Sequence, residues 1–238
     1  MPRTALIWAR RPGKSNERFD ERSMELPDPP LLVVTNRRQT RGSLADVVAA
    51  AAGAGCRWVS VREKDLPDDE QILLVRRLLP VAHRLGARVS LHGDADVAQH
   101  AGADGVHLPA GADARKARAR LGPHKLIGVS IHTVNDAEAL EVDCVDYALA
   151  GPAFETLSKP GYGPEIGRKG LHDIVAAARV PVLAIGGINA ARIAELVAAG
   201  AAGVAVMGGV MRASDPAQEV AGLLAALKGV LRISAPDT

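Results

Sequence analysis

The sequence is poor in aromatic residues, with two Trp, two Tyr and two Phe among 238 residues. Its core must therefore be mainly aliphatic, and the abundance of Ala, Val, Leu and Gly suits a parallel sheet whose buried strands read as continuous apolar runs. Cysteine is scarce too. Cys56 and Cys144 lie far apart, each at the opening of an expected strand, which excludes a disulfide framework and metal-ligand spacing and points to a cytoplasmic protein with two buried thiols. No excess of one charge exists: 29 Lys and Arg face 27 Asp and Glu, for a net charge of +2. The two signs are intermixed, so neither a nucleic acid nor a membrane surface is expected as partner. Long apolar runs are missing as well. No stretch approaches bilayer length, and residues 5–9 form only a short apolar patch followed by Arg10-Arg11, so no secretory leader is expected.

What is present is regular alternation. With 238 residues and 47% hydrophobic content, the chain can bury one large core. Residues 1–29 mix both charges with Pro, Ser and Asn without sustained periodicity and read as a flexible N-terminal extension, within which Met24 offers an alternative start. Residues 233–238 read as a C-terminal tail. From Leu31 onward, aliphatic runs predict strands at 31–35, 58–62, 88–91, 105–108, 126–130, 145–150, 180–185 and 203–207. Helical patterns lie between them, at 43–54 behind a Ser43 cap, from Pro67 to 85, and at 95–100, 112–121, 135–140, 172–178, 189–199 and 217–227. About eight strand-helix units predict a single (β/α)8 TIM barrel over 30–232, in preference to an open doubly wound sheet.

In such a barrel the chemistry gathers at the carboxyl ends of the strands. Ser60, Arg62 and Lys64 share parity along the second strand, and an Arg fork beside a Lys point charge suits a diphosphate or carboxylate. The competing reading is an ion pair with Glu63, Asp65 or a neighbouring strand. Ser130 and His132 stand two apart after the fifth strand, and His92 follows the third. Each histidine is a candidate proton carrier or a hydrogen-bonded structural residue. His107, between Val106 and Leu108, reads as a tightly packed strand end. The loop over 151–164 surrounds Thr156, Ser158 and Lys159 with three glycines and three prolines, an arrangement fit to hold an anion, or else a solvated connection. Gly186-Gly187 and Gly208-Gly209 follow the seventh and eighth strands, where barrels of this kind bind phosphate.

Several of these segments, in order, resemble the thiamine phosphate synthase and TenI (thiazole tautomerase) superfamily. They are Val61-Arg62-Glu63-Lys64, residues 102–108, residues 128–133, residues 151–159, residues 184–188 and residues 203–206. The resemblance implies a barrel acting on a phosphorylated thiazole, and on a pyrimidine diphosphate as well if the chain is a synthase; it allows a homo-oligomer. For a synthase, it implies that Arg62, Lys64 and Lys159 hold the diphosphate, that Ser130 assists the leaving group, and that Thr156, Ser158 and the two glycine pairs hold the thiazole phosphate.

Some positions depart from the synthase pattern. The family's Asn-Asp-Arg is His92-Gly93-Asp94 here, its second magnesium carboxylate falls on Ala112, and its pyrimidine-anchoring Gln is Ser60. Mg2+ would then need Asp94 and Asp113, each one residue beyond the expected ligand. Gly93, the Leu108-Pro109-Ala110-Gly111 turn and Phe154-Glu155-Thr156 resemble the tautomerase branch, which moves one proton and needs no metal. Pro152 stands where that branch has a histidine, leaving His132 or His92 as the base. The sequence therefore favours a metal-free thiazole tautomerase, with a Mg2+-dependent synthase next and a catalytically silent phosphate-binding barrel as a third reading.

Overall fold

The computed structural model describes residues 25–156 and 164–233. Eight parallel strands close into a barrel: β1 (Leu31–Val34), β2 (Trp58–Val61), β3 (Arg88–His92), β4 (Gly105–Leu108), β5 (Leu126–Ile131), β6 (Tyr147–Ala150), β7 (Val182–Ile185) and β8 (Gly203–Val206). Pairing of β1 with β8 completes the ring, with Leu32 opposite Ala205. The TIM barrel expected from the alternation is therefore the fold.

The helices cover the outside: α1 (Leu44–Gly53), α2 (Asp68–Arg84), α3 (Ala95–Ala101), α4 (Ala114–Leu121), α5 (Val134–Glu138), α6 (Gly167–Ala177), α7 (Ile193–Ala198), α8 (Gly208–Arg212) and α9 (Pro216–Ile233). None among the described residues is long and apolar enough to cross a membrane. The helix entrances follow from local chemistry. Ser43 accepts from the Asp46 amide at 3.1 Å, and Thr133 and Asp136 form a reciprocal capping box ahead of α5, each satisfying amides that the first turn leaves without partners. Gly102, at φ 75°, closes α3 in the left-handed conformation that a side chain disfavours.

Two cores result from the alternation of side chains along each strand. Leu31, Val33, Val59, Val89, Val106, Ile127, Ala148 and Val204 point outward and pack beneath the helices. Leu32, Val34, Trp58, Leu126, Tyr147, Leu149, Leu183 and Ala205 fill the barrel. Two of the six aromatics thus stand in the interior, where Trp58 meets Tyr147 edge to face at a centroid distance of 4.6 Å. At the amino-terminal end of β1, Leu26 packs against this inner cluster, and the Pro30 carbonyl accepts from the Val204 amide at 3.0 Å.

Several helices differ from the sequence expectation: the last, expected over 217–227, runs from Pro216 to Ile233, and the one expected from 189 opens as a 3-10 turn before α7. The sixth begins at Gly167 instead of 172, because its first turn is fixed by tertiary bonds from the Ile166 and Gly167 amides to the carbonyls of Pro152 and Ala153. The expected glycine loop after β8 is the start of α8, so Gly208 and Gly209 lie in helix.

Candidate active site

The carboxyl end of β2 is held by a buried acid. Glu63, 2% exposed, accepts from Thr35 Oγ1 at 2.7 Å and from the Arg37 amide at 3.0 and 3.1 Å. Thr35 Oγ1 in turn accepts from the Arg62 amide at 2.9 Å. The Arg37 guanidinium reaches Glu63 at 3.1 Å and both oxygens of Asp65 at 2.7 Å. That bidentate contact pulls the Asp65 carboxyl down to about 2 and raises the Arg37 guanidinium above its ordinary range.

The competing pairing of Arg62 or Lys64 with these two acids is therefore absent, since Arg37 takes both. Among the described residues neither Arg62 nor Lys64 forms an ion pair. Burial first, and then the charge of Arg62, push the Lys64 ammonium below its usual range. Two adjacent cations without counter-charges at a barrel mouth are arranged to receive an anion.

Beneath them lies a polar column. Ser60, Ser90 and His107 are fully buried and His92 nearly so. Trp58 Nε1 donates to Ser90 Oγ at 3.1 Å, while Ser60 Oγ is buried with no hydrogen-bond partner among the described residues. His107 bridges two neighbours: its Nδ1 lies 3.2 Å from the Tyr147 hydroxyl and its Nε2 2.9 Å from Ser130 Oγ. The His92 ring stacks obliquely on that of His107 at 4.5 Å. Burial, then the nearby charge of Lys64, push His107 down to about 3, so the ring is neutral at physiological pH.

Glycine makes this arrangement possible. In register, Gly128 stands between His107 and Tyr147 on the inward face, and a Cβ there would collide with the Tyr147 ring. The missing side chain lets the phenol lean across β5 to reach the imidazole. Tyr147 is thus a site residue that the strand-by-strand reading passed over, and His107, read there as a tightly packed strand end, is packed and polar at once; the inward parity shared by His107, Gly128 and Tyr147 was the available signal.

The other candidates are distributed around the rim. The His132 ring meets the Gly151 carbonyl through Nδ1 at 2.6 Å, and its amide donates to Asp136 at 2.8 Å. It ties the end of β5 to the end of β6. At Asp136 burial pushes the carboxyl up, but the amides of His132 and Thr133 and the Thr133 hydroxyl outweigh it and hold the group below its ordinary range. Gly186 and Gly187 adopt φ of 107° and 63°. Side chains there would strike the Pro152–Glu155 backbone, so these glycines first of all seat the β6 loop on the β7 loop.

Arg192 clamps the same joint. It donates to the Gly187 carbonyl at 3.1 Å and stacks over Phe154 at 4.1 Å. Gly208 and Gly209 border an open groove of about 460 Å³ shared with Arg212, Asp215 and Glu219. Thr156 is half-buried at the edge of the loop, and Ser158 and Lys159 lie outside the described residues.

The residues expected to hold a divalent cation do not fit one. Asp94 caps α3, its Oδ1 accepting from the amides of Asp96 and Val97 at 2.7 and 3.2 Å. Asp113 caps α4, accepting from the Lys116 amide at 3.0 Å. Gly93 and Ala112 offer no side-chain donor, and no three His, Cys, Asp or Glu side chains among the described residues gather as a metal site. In each of these caps one carboxylate oxygen is engaged by helix amides.

Comparison with known proteins locates the chain. The sequence model of a family described as thiamine monophosphate synthase matches residues 31–210. The thiamine-phosphate synthase of Roseiflexus sp. (strain RS-1) is 37% identical over 203 residues, covering 84% of this chain and 85% of that one. The thiamine-phosphate synthase of Roseiflexus castenholzii is 41% identical over 188 residues, covering 77% and 82%. The solved thiamine phosphate pyrophosphorylase from Pyrococcus furiosus superposes with a TM-score of 0.75 at 30% identity, covering 84% of this chain and 96% of that one.

These relatives overturn the expected thiazole tautomerase. Two of the three segments that suggested it have structural duties. Pro109 to Gly111 form a turn closed by the Ala112 amide on the Pro109 carbonyl at 3.3 Å, and Phe154 is the platform for Arg192. Those residues report on loop packing, not on the reaction, and the choice of His132 or His92 as tautomerase base falls with that reading. The family's sequence model spans the barrel from the start of β1 into α8, and the chain belongs to the thiamine monophosphate synthase family.

Proposed function

We propose that the chain is a transferase that joins a pyrimidine methyl diphosphate to a thiazole phosphate, forming thiamine phosphate and releasing diphosphate. The observation that carries this reading is the pair Arg62 and Lys64, left without counter-charges among the described residues because Arg37 neutralises Glu63 and Asp65. They stand above a column of buried polar side chains that leads to Ser130.

Chemically, the bond between the pyrimidine methylene carbon and the diphosphate oxygen breaks, and its electron pair departs with the diphosphate. The thiazole nitrogen then donates its lone pair to that carbon. Cations fixed beside the departing oxygen stabilise the charge that develops there, and burial strengthens their effect. Arg62 and Lys64 supply those charges, and Ser130 offers a hydroxyl to the same group. The buried Ser60 Oγ is suited to a polar atom of the pyrimidine, and the thiazole phosphate is assigned to the loops carrying Thr156, Ser158, Lys159, Gly186 and Gly187. Because Asp94 and Asp113 are engaged as helix caps, neutralisation of the diphosphate by the protein rests on the cationic side chains.

A thiochrome assay with the pyrimidine diphosphate and thiazole phosphate tests the reading, run with Mg2+ and with chelator. Thiamine phosphate is expected, and Arg62→Ala or Lys64→Ala is expected to cost on the order of 100-fold in kcat/KM. No product under either condition overturns it.

A further inference from the structure

We propose that Tyr147 and His107 are positioning residues that hold Ser130 as a hydrogen-bond donor toward the barrel mouth. The direction of the chain follows from accounting for its protons. Tyr147 is fully buried, and the only hydrogen-bonding partner its hydroxyl has among the described residues is His107 Nδ1 at 3.2 Å. Its other neighbours are Trp58 in edge contact and the aliphatic side chains of the inner core.

If Nδ1 carried the imidazole proton, the phenolic proton would be buried without an acceptor among the described residues, an arrangement that folded proteins avoid. The phenol therefore donates to Nδ1. A neutral imidazole has one N–H, so it sits on Nε2 and donates to Ser130 Oγ at 2.9 Å. With its oxygen accepting from the ring, the Ser130 hydroxyl proton is turned away from His107 toward the half-open rim.

The neutral state is supported independently by burial of the ring and by the charge of Lys64. A protonated ring would have donors on both nitrogens, facing a phenol that could then only accept. Gly128 is part of the device, since the space above it admits the phenol. Nothing in the chain moves a proton to or from substrate. It fixes the orientation of one hydroxyl, which is the kind of preorganisation that aids a departing anion.

The identity of that anion as diphosphate rests on the function proposed above; the orientation itself does not. Ring-nitrogen NMR of 15N-histidine-labelled protein, with the His107 signals assigned by their loss in His107→Gln, reads the tautomer directly. The wild type is expected to show Nε2–H between pH 6 and 8, and Tyr147→Phe, which keeps the ring packing, is expected to mix the two tautomers. In the thiochrome assay Tyr147→Phe is expected to lower kcat by about three- to tenfold with KM within about twofold, and to have no added effect in a Ser130→Ala background.

An Nδ1–H ring in the wild type overturns the proposal, as does a Tyr147→Phe enzyme with wild-type kcat or with an additive effect on Ser130→Ala. If the wild type makes no thiamine phosphate, the functional reading fails and the tautomer still decides this one.

Discussion

Replacing His107 by a residue that cannot titrate should flatten the acid limb of the protein's stability curve. An unfolded histidine takes up a proton near pH 6.5, whereas the folded ring resists until about pH 3. Between those values the unfolded chain binds more protons than the native one, so stability is lost as pH falls. The sign is that of a depressed folded pKa, with the contribution complete above 6.5 and declining toward 3. Integrated from pH 7 to pH 5, one such group removes about 2 kcal/mol. Lys64, whose charge approaches the ring, His92, stacked upon it, and the Tyr147 phenol, which burial keeps protonated, are the ionisable groups facing it; none offers a negative charge that would welcome an imidazolium.

Urea unfolding at pH 7 and pH 5 measures the drop for the native protein and for His107→Gln, and the difference between the two drops isolates this ring from every other titrating group. A native protein that loses no more than the variant would refute the reasoning, because it would mean that His107 either stays accessible to protons or finds an acceptor when charged.

Other consequences can be measured with the same preparations. Asp94→Asn with Asp113→Asn keeps both helix caps, since Asn caps as well as Asp, and removes both carboxylates; activity and its response to Mg2+ should stay within about twofold, and a deep loss rescued by excess metal would restore them as ligands. The alkaline limb of kcat/KM should fall below the ordinary lysine value of 10.5 because Lys64 is pushed down by burial and by Arg62; it should move upward in Lys64→Arg, and an unmoved limb would release Lys64 from the role. Gly128→Ala, whose methyl collides with the Tyr147 ring, should destabilise by about 1–3 kcal/mol in thermal or chemical unfolding and lower kcat along with Tyr147→Phe. Ser43→Ala should cost about 1 kcal/mol of stability while leaving kcat unchanged, a purely local cap effect.

The barrel was legible because parallel buried strands leave a plain mark, uninterrupted aliphatic runs such as Leu31 to Val34, and because caps such as Ser43 and Gly102 punctuate them. Residues 167–171 were harder to read: Gly167, Arg168, Lys169 and Gly170 carry no apolar period, and their helix is started by amide bonds to Pro152 and Ala153. The glycines at 208 and 209 concealed α8 for the converse reason, since they lower helix propensity where tertiary packing overrides it.

Arg62 and Lys64 were found by parity, but that they lack counter-charges depends on Arg37, some 25 residues away in sequence. Asp94 and Asp113 have the residue type of ligands and of caps alike, and only geometry separates the two. The His107, Gly128 and Tyr147 row is a property of register across three strands, which no single segment contains.

The segment that enters β1 has a consequence for where the chain can be shortened. Leu26 packs against one end of the inner core, while the Pro30 carbonyl holds the start of β8 through the Val204 amide. A product initiated at Met24 would keep both contacts. Cleavage only a few residues later would uncork the barrel, admit water to the floor beneath Trp58 and Tyr147, and give the phenol a competing acceptor far from any substrate.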